Sequence, residues 1–82
     1  MSSEHDHYRM DLNNWLQSRR NPDLKMEYKT GRSGPHHAPT WEAAVLINGI
    51  ECGKGTGQNQ GIAKEQAAKQ ALKALEEGAV VV

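Results

Sequence analysis

The chain has little of what usually stabilises a very small protein. Its 82 residues contain a single cysteine, Cys52, so no disulfide can form within it. Cys52 lies in a strand-like pattern, which predicts a small buried side chain. A single cysteine without a disulfide is typical of a reducing compartment, so we expect the cytoplasm or the nucleus. No apolar run approaches the roughly 20 residues of a membrane span, and no secretion signal is expected. The sequence therefore predicts one small intracellular domain without a membrane segment.

Charge of one sign is also lacking, although the distribution is uneven. Ten basic and ten acidic residues give a net charge of zero. Between Tyr8 and Leu75 stand all ten basic residues and only six acids, a surplus of four positive charges. This surplus is compatible with a polyanionic partner but does not require one.

Two segments carry helical periodicity. The first runs from His7 to about Ser18, and the second begins near Asn59 with small alanines that let it lie close to a sheet. Residues 19–22, two arginines followed by Asn-Pro, end the first helix. The apolar faces are Tyr8, Leu12, Trp15 and Leu16 in the first helix, and Ala63, Ala67, Ala68, Ala71, Leu72 and Leu75 in the second.

Three segments between the helices are typical of half-buried strands. A loop over residues 31–39 separates the first two. Asn48-Gly49 predicts a tight hairpin, because both central positions of a type I′ turn need a positive φ. The third strand holds Ile50 and Cys52 and is expected to end at the glycines that follow. The alternating apolar sets are Leu24, Met26 and Tyr28 in the first strand, and Trp41, Ala43, Val45 and Ile47 in the second.

The order helix, strand, strand, strand, helix predicts an α+β fold. Two helices would cover one face of a three-stranded antiparallel sheet and leave the other face in water. Residues 1–6 are expected to form a disordered tail and residues 7–76 the domain. Residues 77–82 would be a C-terminal tail or the cut edge of a longer protein.

Candidate catalytic and metal-binding residues are sparse. His5 and His7 stand near the start and His36 and His37 in a loop, without a nearby cysteine or glutamate cluster. No nucleophile stands beside a partnered base. We therefore expect no enzyme activity, no metal, no cofactor and no small-molecule substrate.

The stretch Gly55–Gly61, GTGQNQG, is close to a dinucleotide-binding fingerprint. That site needs a parallel βαβ unit, and only 21 residues follow Gly61. What remains is a helix start whose free N–H groups can hold phosphate. Asn59 suits its N-cap, and Lys64, a cation near the positive end of the dipole, indicates an anion nearby. An ordinary capped helix with a solvated lysine explains these residues equally well.

Together these segments resemble the double-stranded RNA-binding domain family over about residues 8–75. LNNWLQ resembles the first-helix pattern Leu-Asn-Glu-x-x-Gln, and GPHHAPTW resembles the loop pattern Gly-Pro-x-His with a following aromatic residue. NQGIAKEQAAKQAL resembles Ser-Lys-Lys-x-Ala-Lys-x-x-Ala-Ala-x-x-Ala-Leu. The family pattern V-x-V-x-G followed by G-x-G-x-G is matched by Val45, Ile47, Gly49, Gly53, Gly55 and Gly57.

The resemblance implies double-stranded RNA as partner, recognised by A-form shape over about 16 base pairs. The first helix and the loop would enter successive minor grooves, and the second helix would start on the phosphates between them. A role in RNA processing or silencing follows. The implied RNA-binding residues are Asn13, Asn14 and Gln17 in the first helix, Gly34, Pro35, His36 and His37 in the loop, and Asn59, Gln60 and Lys64 at the second helix, with Lys54 as an added cation.

Two departures from the family pattern predict reduced affinity. Gln60 and Gly61 stand where the family has lysines, and each lost phosphate contact removes about 0.9 from the salt slope. Asn14 replaces an acid but still donates and accepts. The alternative is a protein-interaction or dimerisation module with a degenerate RNA site. An exposed apolar patch would favour it, and its candidate members are Ala44, Leu46 and residues 80–82.

Overall fold

The computed structural model describes residues 7–19 and 23–80. Its elements are α1 (Tyr8–Ser18), β1 (Met26–Ser33), β2 (Thr40–Ile47), β3 (Ile50–Gly57) and α2 (Gln60–Glu76). The strands form one antiparallel sheet in the order β1-β2-β3. The predicted α-β-β-β-α fold is therefore confirmed. The expected tail over residues 1–6, residues 20–22 of the expected helix end and the last two valines lie outside the described residues.

Local sequence explains the sheet's pairing. Asn48 and Gly49 take φ values of 54° and 81°, as the hairpin signal predicts. Alternation along β2 buries Ala43, Val45 and Ile47. The first strand is longer than expected, because its pairing with β2 continues to Ser33 opposite Thr40. Residues 31–33, expected in the loop, are therefore strand.

The third strand is also longer than the sequence predicts. β3 runs through Gly53, Gly55 and Gly57, and these glycines face α2. A Cβ at Gly55 would lie 2.6 Å from the carbonyl carbon of Gln66, and one at Gly57 would lie 2.5 Å from Ile62 Cγ2. A residue with a Cβ does not fit at these positions without a shift of the helix. The glycines therefore allow the backbones of β3 and α2 to come into contact.

The two helices are placed differently relative to this sheet. α2 lies across β3 and β2, whereas α1 lies mainly against α2. Leu12 is the buried anchor of α1. The buried core combines Leu12, Ala43, Val45, Ile47, Cys52, Ala63, Ala67, Ala68, Ala71 and Leu75.

A defined C-cap ends α2. Gly78 has a φ of 75°, and the N–H of Ala79 donates to the Ala74 carbonyl oxygen at 2.9 Å. This is the pattern of a Schellman motif, and it turns Val80 back onto the core. Among the described helices, none combines the length and apolar character needed to cross a membrane.

Candidate nucleic-acid interface

The polar face of α1 is presented to solvent. Asn13, Asn14 and Gln17 are exposed, whereas Leu12 is fully buried. Residues four apart share one side of a helix, so Asn13 and Gln17 stand together with Asn14 beside them. Their amides can donate and accept hydrogen bonds, as contact with ribose hydroxyls and base edges requires.

The connection between β1 and β2 is a compact exposed turn. Gly34 has a φ of 91°, a conformation that other residues rarely adopt. The Ala38 N–H donates to the Pro35 carbonyl oxygen at 3.1 Å, which closes a turn around His36 and His37. Both imidazoles are exposed at the end of the sheet.

The start of α2 lies at that same end of the sheet, because Gly57 pairs with Trp41 just after the loop. Asn59 caps the helix as predicted, its Oδ1 accepting the Ile62 N–H at 2.8 Å. The Gln60 side-chain amide donates to Thr30 Oγ1 of β1 at 3.1 Å. Gln60 thus ties the helix start to the sheet, a contact that the sequence did not indicate.

Lys64 lies one turn into α2 and points toward β1. Its ammonium nitrogen is 5.9 Å from the centroid of the Tyr28 ring, near the outer limit of a cation–π contact. Among the described residues, the buried Tyr28 hydroxyl has no hydrogen-bond partner. Burial raises the pKa of Tyr28, nearby Arg9 opposes the shift, and Glu65 adds to it.

Lys54 is not brought together with the other predicted site residues. Successive side chains of a strand point to opposite faces, and Gly53 and Gly55 face α2. Lys54 therefore lies on the open face of the sheet, where it lines a shallow depression with Lys29 and Glu42. On this face Ala44 and Leu46 are half-buried rather than exposed.

The sequence did not indicate the contact between Glu65 and Arg9, which joins the two helices. The Glu65 carboxylate of α2 accepts the backbone N–H groups of Tyr8 and Arg9, at 2.9 and 3.3 Å, and the Arg9 Nε at 2.6 Å. Glu65 retains 9% of its exposure. The one available signal was Arg9 itself, a cation in the first turn of a helix, where the dipole disfavours it.

A metal centre finds no support in the part of the chain that the structure describes. No group of three or more His, Cys, Asp or Glu side chains is placed to hold a metal ion there. The predicted burial of Cys52 is observed, and burial raises the pKa of its thiol.

This chain is similar in sequence to known bacterial proteins. Ribonuclease 3 of Streptococcus uberis is 41% identical over 71 residues, which cover 85% of this chain and 30% of that protein. Ribonuclease 3 of Corynebacterium efficiens is 34% identical over 73 residues, 89% of this chain and 29% of that protein. The chain thus spans less than a third of these relatives.

A solution structure of both double-stranded RNA-binding domains of DRB4 with their linker has a similar fold. The TM-score is 0.67 at 25% identity, over 95% of this chain and 49% of that one. Residues 8–75 match the family described as the double-stranded RNA binding motif. With most of its length inside that match and its fold in agreement, the chain belongs to the double-stranded RNA binding motif family.

Proposed function

We propose that this chain binds duplex RNA by the shape of the A-form helix. The polar face of α1 enters one minor groove, the Gly34–His37 turn enters the next, and the start of α2 lies on the phosphates between them. The proposal extends to a role in RNA processing inside the cell, in the cytoplasm or nucleus, with binding as this chain's own contribution.

One observation carries the proposal: the loop and the start of α2 occupy the same end of the sheet, joined through β1. Gly57 pairs with Trp41, and Gln60 reaches Thr30. The turn that we propose for the minor groove and the helix start that we propose for the phosphates are therefore held in a fixed relation. This arrangement suits a rigid duplex better than a flexible single strand.

The same geometry supports reduced affinity. Gln60 is engaged with Thr30, and Gly61 has no side chain to offer. Lys64 is therefore the cation that remains in the first turns of α2, where the family pattern has three lysines. Because phosphate contacts dominate nucleic-acid affinity, we expect weaker binding and a shallower dependence on salt.

The test is a titration with blunt duplex RNA and duplex DNA of about 20 base pairs at two salt concentrations, longer than the roughly 16 that such domains span. RNA should bind and DNA should bind much more weakly. Lys64→Ala should weaken RNA binding by about 1–2 kcal/mol, the scale of a charge-assisted hydrogen bond.

Lys54→Ala is the matched control, because it removes the same charge from the open sheet face. It should leave affinity within about twofold, well under the effect of one hydrogen bond. Equal affinity for DNA would contradict shape recognition. Equal losses in the two lysine variants would contradict the placement of α2 on the phosphates.

A further inference from the structure

A single carboxylate in the second turn of α2 holds the first turn of α1. The Glu65 Oε1 atom accepts the N–H groups of Tyr8 and Arg9, and its Oε2 atom accepts from the Arg9 side chain. The carboxylate is almost completely removed from solvent. Hydrogen bonds to a charged acceptor are shorter and stronger than neutral ones, so this contact fixes one helix end against the other.

The first helix has no cap of its own. His7 occupies the N-cap position and makes no side-chain hydrogen bond to the helix. The first N–H groups of any helix lack partners within it, and a negative charge there is favourable because of the dipole. Glu65 supplies both the acceptor and the charge, from a residue 57 positions away.

The position of α1 depends on α2, since α1 lies mainly against that helix. Glu65 directly follows Lys64 and lies within the second turn of α2. A contact at this point therefore sets where the exposed amides of Asn13 and Gln17 stand relative to the phosphate-facing start of α2. A duplex has fixed distances between its minor groove and its phosphates, so this relation is a requirement of recognition.

We propose that Glu65 is a positioning residue for RNA binding, which holds α1 at the spacing that the duplex demands without touching the RNA. The proposal rests on the proposed function. Its specific consequence is energetic coupling between Glu65 and the amides of α1. When Glu65 is removed, α1 is misplaced and its groove contacts contribute little.

The experiment is a double-mutant cycle between Glu65→Ala and Gln17→Ala, measured by duplex RNA titration well below the melting temperature. In the parent protein, Gln17→Ala should weaken binding about fivefold, the scale of one hydrogen bond. In the Glu65→Ala background the same change should weaken binding less than about twofold. A general loss of stability would not produce this coupling.

Two further variants sharpen the result. Glu65→Gln keeps an oxygen that can accept the Tyr8 N–H, so it should retain most of the RNA affinity that Glu65→Ala loses. Glu42→Ala removes a carboxylate from the open sheet face and should leave both affinity and the Gln17 effect unchanged. Hydrogen exchange supplies an independent readout, because the amides of Tyr8 and Arg9 should lose protection in Glu65→Ala.

If Glu65→Ala fails to fold, the cycle is run with Arg9→Ala, which removes the side-chain part of the contact. A smaller but measurable coupling to Gln17 is expected there. Additive effects in the cycle that can be run would overturn the positioning role while leaving RNA binding intact. A parent protein that does not bind duplex RNA would overturn the proposed function and this proposal with it.

Discussion

Replacing Gly55 by alanine should damage the fold far more than a single methyl group normally does. The new Cβ would lie 2.6 Å from the Gln66 carbonyl carbon and closer still to the Ala67 nitrogen. Both are backbone atoms of α2, so no side-chain rotation can relieve the overlap.

The magnitude follows from how far α2 must move. Ordinary contact begins near 3.4 Å, so the helix must withdraw by about 1 Å. The contacts of Ala63, Ala67 and Ala71, all fully buried, then loosen together. Overpacking alone costs about 1–3 kcal/mol, and we expect Gly55→Ala to lie at or above the upper end of that range.

Urea unfolding followed by circular dichroism measures this cost. Gly31→Ala is the matched control, because Gly31 lies in β1 with nothing within 4 Å of the added Cβ. Alanine there should be neutral or stabilise by up to about 1 kcal/mol, since glycine is entropically unfavourable in a strand. Equal stability of the two variants would refute the close strand–helix approach.

Three more variants test other parts of the structure. Ala67→Leu should cost about 1–3 kcal/mol in the same unfolding assay, because Ala67 is fully buried; an unaltered midpoint would contradict the packing. Tyr28→Phe removes a buried hydroxyl without a partner, so it should be neutral or stabilising by about 1 kcal/mol. Burial raises the pKa of Tyr28, so its contribution to stability should be complete below the ordinary value near 10 and lost as pH rises through the raised pKa; the Phe variant should lack this alkaline loss. Gln60→Lys with Gly61→Lys should steepen the salt slope of RNA binding by up to about 2, although the first change gives up the Thr30 contact and the second places a Cβ 3.3 Å from Asn59 Oδ1. An unchanged slope would show that this helix start does not face phosphate.

Local patterns predicted most of the fold because they act through neighbouring residues. The alternation of β2 and the Asn48-Gly49 hairpin are both observed, and Asn59 caps α2 as expected. The prediction that the third strand ends at the glycines after Cys52 is wrong. It rested on the depletion of glycine in strands. The helix that excludes any larger residue is distant in sequence, so no local signal reveals it.

The face on which Lys54 lies could not be predicted from the sequence. Lys54 was grouped with the RNA contacts as a cation that could compensate for the missing lysines. Its position in β3 places it on the open side of the sheet instead. The pairing of Glu65 with Arg9, 56 positions apart, has no periodic signature in either helix and became visible from the tertiary structure.

The attachment of α1 to α2 also has a consequence for the order in which the chain assembles. The strands and α2 contact their neighbours in sequence, whereas the Tyr8–Glu65 bond closes a loop of 57 positions. Closing a long loop costs chain entropy, and this cost comes before the contacts that compensate for it have formed. We therefore expect α1 to dock after the folding transition state, so that Leu12→Ala speeds unfolding and barely changes the folding rate. The first helix would then be the last element to dock during folding and the first to detach during unfolding.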